Sequence, residues 1–104
     1  MKNLLEPVSP GEILLNEFLL PLKISQNKLG KDLGVPTTRI NEIVNNTRSV
    51  TVDTALRLSR YFGTSPEIWL NLQQDYDLEI AKREIKKNID KSIVPLDSLE
   101  KEAA

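Results

Sequence analysis

The chain has neither cysteine nor histidine among its 104 residues. Without cysteine there are no disulfides and no thiolate metal sites. Without histidine the commonest neutral metal ligand and the commonest general base at neutral pH are both missing. Carboxylates and lysines remain, but the usual catalytic toolkit is absent, so the sequence reads as a non-enzyme with no metal and no cofactor. No apolar run approaches the roughly 18–20 residues of a membrane span. The N-terminus lacks a basic region followed by an apolar stretch, so no secretory signal is expected and the expected location is cytoplasmic.

Charge of either sign is nearly balanced, with a net charge of −1. Taken whole, this disfavours nucleic acid, because such binding scales with the Lys and Arg that neutralise phosphate. The distribution changes the reading. Residues 1–22 carry a net −2, residues 23–60 a net +4 and residues 61–104 a net −3. At physiological salt charges beyond about 8–10 Å are largely screened, so the basic middle counts for more than the total.

What is present is a succession of helical signals. Five segments are expected. The first covers Pro10 to Leu20, with Ser9 as N-cap, Pro10 in the first turn and Pro21 as its terminator. The second covers Gln26 to Leu33 behind a Ser25 cap, and Gly34 supplies the positive φ that ends it. The third runs from Thr37 to Asn45 after Pro36, with Ile40, Ile43 and Val44 as its buried stripe. The fourth spans Val52 to Phe62 between Thr51 and Gly63. The fifth opens at Ser65-Pro66-Glu67 and extends to about Ile89. In the tail, residues 90–104, Ser92–Leu96 reads as a short strand or extended arm and Leu99–Ala104 as a frayed end. The expected fold is all-α, a five-helix bundle. Residues 1–89 would form the domain and residues 90–104 a tail containing a dimerisation arm.

The second and third segments carry the functional signal. Two short helices joined by a tight turn containing glycine form a helix-turn-helix. Gly30 sits where the partner helix crosses closely, Gly34 lies in the turn, and β-branched Val35 follows it. The third segment turns Ile40 and Ile43 inward and Thr37, Thr38, Arg39, Asn41 and Glu42 outward. Short polar side chains on such a helix can meet base edges in the major groove: arginine pairs bidentately with guanine, and threonine offers a hydroxyl or a methyl to thymine. Glu42 either accepts from a cytosine amine or pairs with Arg39. The N-terminal end of the second segment, with Ser25 and Gln26, suits a phosphate. Asn45, Asn46, Thr47 and Arg48 follow the third segment and can hold a neighbouring one. Arg57 and Arg60 read as a solvated face of the fourth segment, and Trp69 as core. Tyr76 and Leu78 are candidates for a dimer interface.

Residues 7–80 also resemble a known family. PGEIL at Pro10–Leu14, VPTTRINEIVNN at Val35–Asn46, TVDTALRLSRYFGTSPEIWLNLQ at Thr51–Gln73 and YDL at Tyr76–Leu78 are similar to the HigA antitoxin group, also called virulence-associated protein I, within the phage-repressor-like helix-turn-helix proteins. The family's usual Leu-Ala in the first helix of the motif is here Leu29-Gly30. The resemblance implies a lambda-repressor-like bundle and a homodimer that represses its own operon on a palindromic double-stranded operator. It further implies a protein partner, a HigB-like toxin that cleaves mRNA. A helix-turn-helix regulator without a toxin partner is the alternative, and an interaction module that has lost DNA binding is a third reading.

Overall fold

The computed structural model describes residues 6–98, and every regular element among them is helical. Ser9 caps the first helix, its Oγ accepting from the Glu12 N–H at 3.2 Å. Helix α1 (Pro10–Ile13) passes without interruption into a π-helical stretch, Leu14–Leu19, and then into α2 (Leu20–Leu22). The expected stop at Pro21 is therefore corrected: the rod continues to Leu22 and ends at Lys23, whose backbone is left-handed at φ 57°. Proline is excluded from a helix interior because it collides with the carbonyl four residues back. Here the preceding turn is widened, the Leu20 N–H bonding the Leu15 carbonyl five residues back, which shifts that ladder out of register with the ring.

The remaining helices are α3 (Gln26–Leu33), α4 (Thr37–Val44), α5 (Val52–Phe62), α6 (Pro66–Glu84) and α7 (Lys86–Ser92). Ser25, Thr51 and Ser65 each accept a backbone N–H three residues on, and Gly34 and Gly63 close α3 and α5 in the left-handed conformation. The expected fifth helix is thus two helices, broken at Ile85 (φ −124°). By that point the rod has run past the core, and none of residues 78–92 is fully buried. The expected strand at Ser92–Leu96 is absent among the described residues: Ser92 closes α7, and Ile93 enters an extended stretch at φ −110°, ψ 119°. The expected frayed end, Leu99–Ala104, lies outside the described residues.

The core is a single cluster in which Leu14, Leu29, Ile40, Leu58 and Trp69 have no exposed surface. Trp69 packs against Phe18 with ring centroids 5.2 Å apart, and Phe18 against Phe62 at 4.7 Å. The Trp69 indole N–H, which would otherwise be stranded, donates to Thr64 Oγ1 at 2.9 Å. Gly11 sets how closely α1 lies against the end of α4: a side chain there would overlap the Ile43 carbonyl oxygen and stand 2.9 Å from the Val44 oxygen.

Candidate nucleic-acid interface

The turn between α3 and α4 is built from glycine at two points. Gly34 has φ 72°, and its N–H reaches back to the Gly30 and Lys31 carbonyls. Gly30 is where the two helices meet: a Cβ on it would lie 3.0 Å from the Val35 carbonyl and 3.3 Å from the Thr37 Cα. Pro36, extended at φ −61° and ψ 145°, then delivers the chain into α4. Ile40 and Ile43 on α4 are buried, which fixes the opposite face outward. Thr37, Thr38, Asn41 and Asn45 lie exposed on that face, and Arg39 and Glu42 flank it half-buried.

Six of the ten residues expected at the site form two hydrogen-bonded trios, Gln26–Asn41–Asn45 and Glu42–Thr47–Arg48; Ser25 and Arg39 are engaged by groups outside the ten, and Thr37 and Thr38 are exposed. On one side Asn41 bridges the motif: its Nδ2 donates to Gln26 Oε1 at 3.3 Å and its Oδ1 accepts from Asn45 Nδ2 at 3.1 Å. Ser25 stands beside this group with its hydroxyl committed to capping, accepting from the Lys28 N–H at 3.0 Å. The N–H groups of the first turn of α3 have no partner within the helix and point off its end. On the other side Arg39 NH1 donates to Asp53 Oδ2 at 2.9 Å. Arg48 NH2 bonds Glu42 Oε1 at 3.2 Å, and the Thr47 hydroxyl bonds the Glu42 carbonyl at 3.2 Å. Thr37 and Thr38 stand exposed at the N-terminal end of α4, the part of such a helix that enters a groove.

Several side chains differ from the sequence reading. Glu42 does not pair with Arg39; it takes Arg48, because Arg39 is engaged by Asp53. Arg57 is not part of a merely solvated face. Its NH1 donates to the Leu33 carbonyl at 2.7 Å, satisfying the C-terminal end of α3, and its Nε donates to Asp53 at 3.0 Å. The Tyr76 hydroxyl accepts from Asn46 Nδ2, an intrachain contact that the sequence reading did not include. Asn46 is left-handed at φ 61°, as a turn asparagine tolerates. Gln73 went unremarked in the sequence. It is buried, and its Oε1 accepts the Val50 N–H at 2.8 Å while its Nε2 donates to Asp77. Together Tyr76 and Gln73 moor the loop after α4 to α6.

The electrostatics follow from these contacts. The hydrogen bond from Arg57 is the largest influence on the Asp53 carboxyl; desolvation opposes it, and with the further bond from Arg39 the carboxyl is held below its usual value. Lys28 and the Tyr61 hydroxyl do the same for Asp32, while Asp32 in turn raises Lys28 and Tyr61. Among the described residues no cluster of acids could hold a metal ion, and no helix is long and apolar enough to cross a membrane.

Two short helices crossing at a glycine, with a polar outer face on the second and a capped, basic rim, define a helix-turn-helix protein. Comparison with known proteins agrees: a family model described as helix-turn-helix matches residues 15–69. Virulence-associated protein I of Dichelobacter nodosus is 48% identical over 95 residues, spanning 91% of this chain and 86% of that protein. Among solved structures, an addiction-module antidote protein of the HigA family from Coxiella burnetii aligns with a TM-score of 0.81 and 49% identity, over 86% of this chain and 98% of that one. The Pseudomonas aeruginosa antitoxin HigA, solved with the higBA promoter, aligns with a TM-score of 0.85 and 43% identity, over 88% of this chain and 99% of that one. The chain belongs to the HigA antitoxin family of helix-turn-helix proteins.

Proposed function

We propose that the protein is an antitoxin and autorepressor: as a homodimer in the cytoplasm it binds a palindromic operator at its own promoter, and it neutralises a HigB-like mRNA-cleaving toxin. The observation that carries the DNA half is the exposed face of α4, where Thr37, Thr38 and Asn41 stand free of the core in a fold that matches a HigA solved with promoter DNA. The toxin half rests on family membership.

In this reading the N-terminal end of α4 enters the major groove. Thr37, Thr38, Arg39 and Asn41 meet base edges, and Glu42 stands at the margin. Ser25 and Gln26 at the start of α3, and Asn45, Thr47 and Arg48 after α4, hold the phosphates on either side and set the register. One recognition helix covers half a site, so a two-fold dimer places two of them about 34 Å apart. The surface for that dimer is the outer end of the rod. There Leu78, Ile85, Ile89, Ile93 and Val94 are about half exposed or more. Residues 1–89 serve as the DNA-binding domain and the tail, residues 90–104, adds its arm to the dimer.

Gel-shift titration of a duplex from upstream of the protein's own gene, against a scrambled duplex, tests the DNA half. Arg39→Ala weakens specific binding by about 1–3 kcal/mol if Arg39 reads a base. Equal affinity for both duplexes sinks the repressor reading. Co-expression with the product of an adjacent toxin-like reading frame tests the other half: failure to restore growth leaves a helix-turn-helix regulator without a toxin.

A further inference from the structure

Arg39 reaches the edge of the groove-facing surface already held from behind. Its NH1 donates to Asp53 Oδ2 at 2.9 Å, and the same oxygen accepts from Arg57 Nε at 3.0 Å. Arg57 is itself fixed, its NH1 on the Leu33 carbonyl at 2.7 Å. A continuous set of contacts therefore runs from the C-terminal end of α3, through the first turn of α5, to the recognition helix. The Arg39 side chain is 29% exposed, although its neighbours Thr37, Thr38 and Asn41 are open to solvent. A guanidinium has five donors in a rigid fork, so one bond to Asp53 leaves enough for a bidentate pair.

An arginine loose on a helix surface loses many rotamers on docking, and can settle on any phosphate or base within reach. One oriented beforehand loses less and is restricted in where its fork points. A carboxylate beside a DNA-binding face, however, repels phosphate and weakens binding to every sequence. Asp53 is 55% exposed and is paired with Arg39 at the margin of this face, so its presence is unfavourable for affinity alone.

We propose that Asp53 is a specificity-determining positioning residue for operator recognition: it aims the Arg39 guanidinium at one base pair, and it lowers affinity for DNA in general. This deepens the DNA-binding reading above and rests on it. Asp53 touches no base. It acts through Arg39, and Arg57 keeps Asp53 in place.

The test uses the full chain as wild type, Arg39→Ala, Asp53→Asn and Asp53→Ala. Selection from a random duplex library gives the wild-type consensus. Affinities are then measured at fixed salt for the consensus, for each of its single-base-pair variants and for a scrambled duplex, with thermal unfolding alongside. Arg39→Ala is expected to lose discrimination at one base pair per half-site. Both Asp53 variants should lose roughly tenfold discrimination at that same pair, keep it elsewhere, and bind the scrambled duplex severalfold more tightly. A role confined to stability would lower the unfolding temperature and leave these ratios alone, and that result overturns the proposal. Discrimination kept or sharpened in Asp53→Asn also overturns it, since Asp53 would then merely compete with DNA for Arg39. If Arg39→Ala itself changes no ratio, base reading by Arg39 fails and the proposal fails with it. Loss in Arg39→Ala alone removes only the role of Asp53.

Discussion

Gly11 offers the sharpest quantitative test of the packing that sets the recognition helix. In Gly11→Ala the new methyl overlaps the Ile43 carbonyl oxygen and lies 2.9 Å from both the Ile43 carbonyl carbon and the Val44 oxygen. All three atoms are backbone of the last turn of α4, and the Ile43 carbonyl is further fixed by accepting the Asn46 N–H at 3.0 Å. No rotamer change relieves the collision, so α1 must retreat by about 1 Å or more to reach normal contact. Overpacking of this kind costs about 1–3 kcal/mol and at times more, and rigid neighbours put it at the upper end. Alanine regains up to about 1 kcal/mol of helix propensity, leaving a net loss of about 2 kcal/mol. For a domain of this size each kcal/mol shifts the midpoint by about 4–8 °C, so Tm falls by roughly 8–16 °C. Gly30→Ala is the internal control. Its methyl meets the Val35 carbonyl at 3.0 Å, a contact that a slight shift relieves, and Gly30 is interior to α3, so the propensity gain largely cancels the crowding. Its net effect is expected within about 1 kcal/mol of zero. Thermal unfolding followed by far-UV circular dichroism at two matched protein concentrations separates the pair, the matching being needed because a dimer's midpoint moves with concentration. A Gly11→Ala midpoint within about 2 °C of wild type, or a Gly30→Ala loss exceeding it, refutes the reasoning.

Gln73→Leu keeps the volume but leaves the buried Val50 N–H without its 2.8 Å acceptor, which costs about 1–3 kcal/mol in denaturant unfolding; a neutral result would mean that the loop finds another acceptor. Asp32 and Asp53 titrate below the ordinary 3.8, so the stability they add is present above that pH and is lost as pH falls through their lower folded values. With no histidine in the chain, the urea midpoint should be nearly flat from about pH 5 to 8 and drop only below about pH 4; a step between pH 5 and 8 contradicts this, and Asp32→Asn should soften the acid limb. Ile89→Asp places a charge on the apolar end of the rod, where Ile89 is 44% exposed. Sedimentation should show the dimer shifted toward monomer at micromolar concentration with helicity unchanged, and an unaltered dimer would move the interface elsewhere.

Helix boundaries could be read where a local chemical signal marks them and not where tertiary packing decides. Ser25 with Gly34, and Thr51 with Gly63, bracket α3 and α5 as expected, because a capping hydroxyl and a left-handed glycine act within a few residues. Pro21 misled for an instructive reason. The rule that proline ends a helix presumes an i−4 ladder, and the π-helical turn before it replaces that ladder. The break at Ile85 leaves only a faint mark in the sequence: Ile80 to Ile85 is a five-residue step, about 140° around a helix, before Ile85 to Ile89 returns to four. Ile93 and Val94 carry strand-forming side chains, but a strand requires a neighbour to pair with, and the described residues supply none.

The outward face of α4 followed from helical period alone, whereas the partners of its side chains did not. Arg39 and Asp53 are 14 residues apart, Asn41 and Gln26 15, and Asn46 and Tyr76 30, so each pairing exists only once the fold has formed. Glu42 shows the consequence. Arg39 is its neighbour at a spacing that favours pairing by only a few tenths of a kcal/mol, and that margin is overturned once Asp53 engages Arg39 from another helix. The same contacts revise what the basic middle of the chain means. Asp32, Glu42 and Asp53 are the only acids in residues 23–60, and every one of them is engaged by a cation from that same stretch. They do not simply dilute a positive surface. Under the proposed role of Asp53, the pair it makes with Arg39 restricts where that cation points, which is of little use for attraction to DNA at large and of direct use for choosing among sequences. On that proposal, a protein with a net charge of −1 would recognise an operator through aimed side chains while holding only weakly to other DNA.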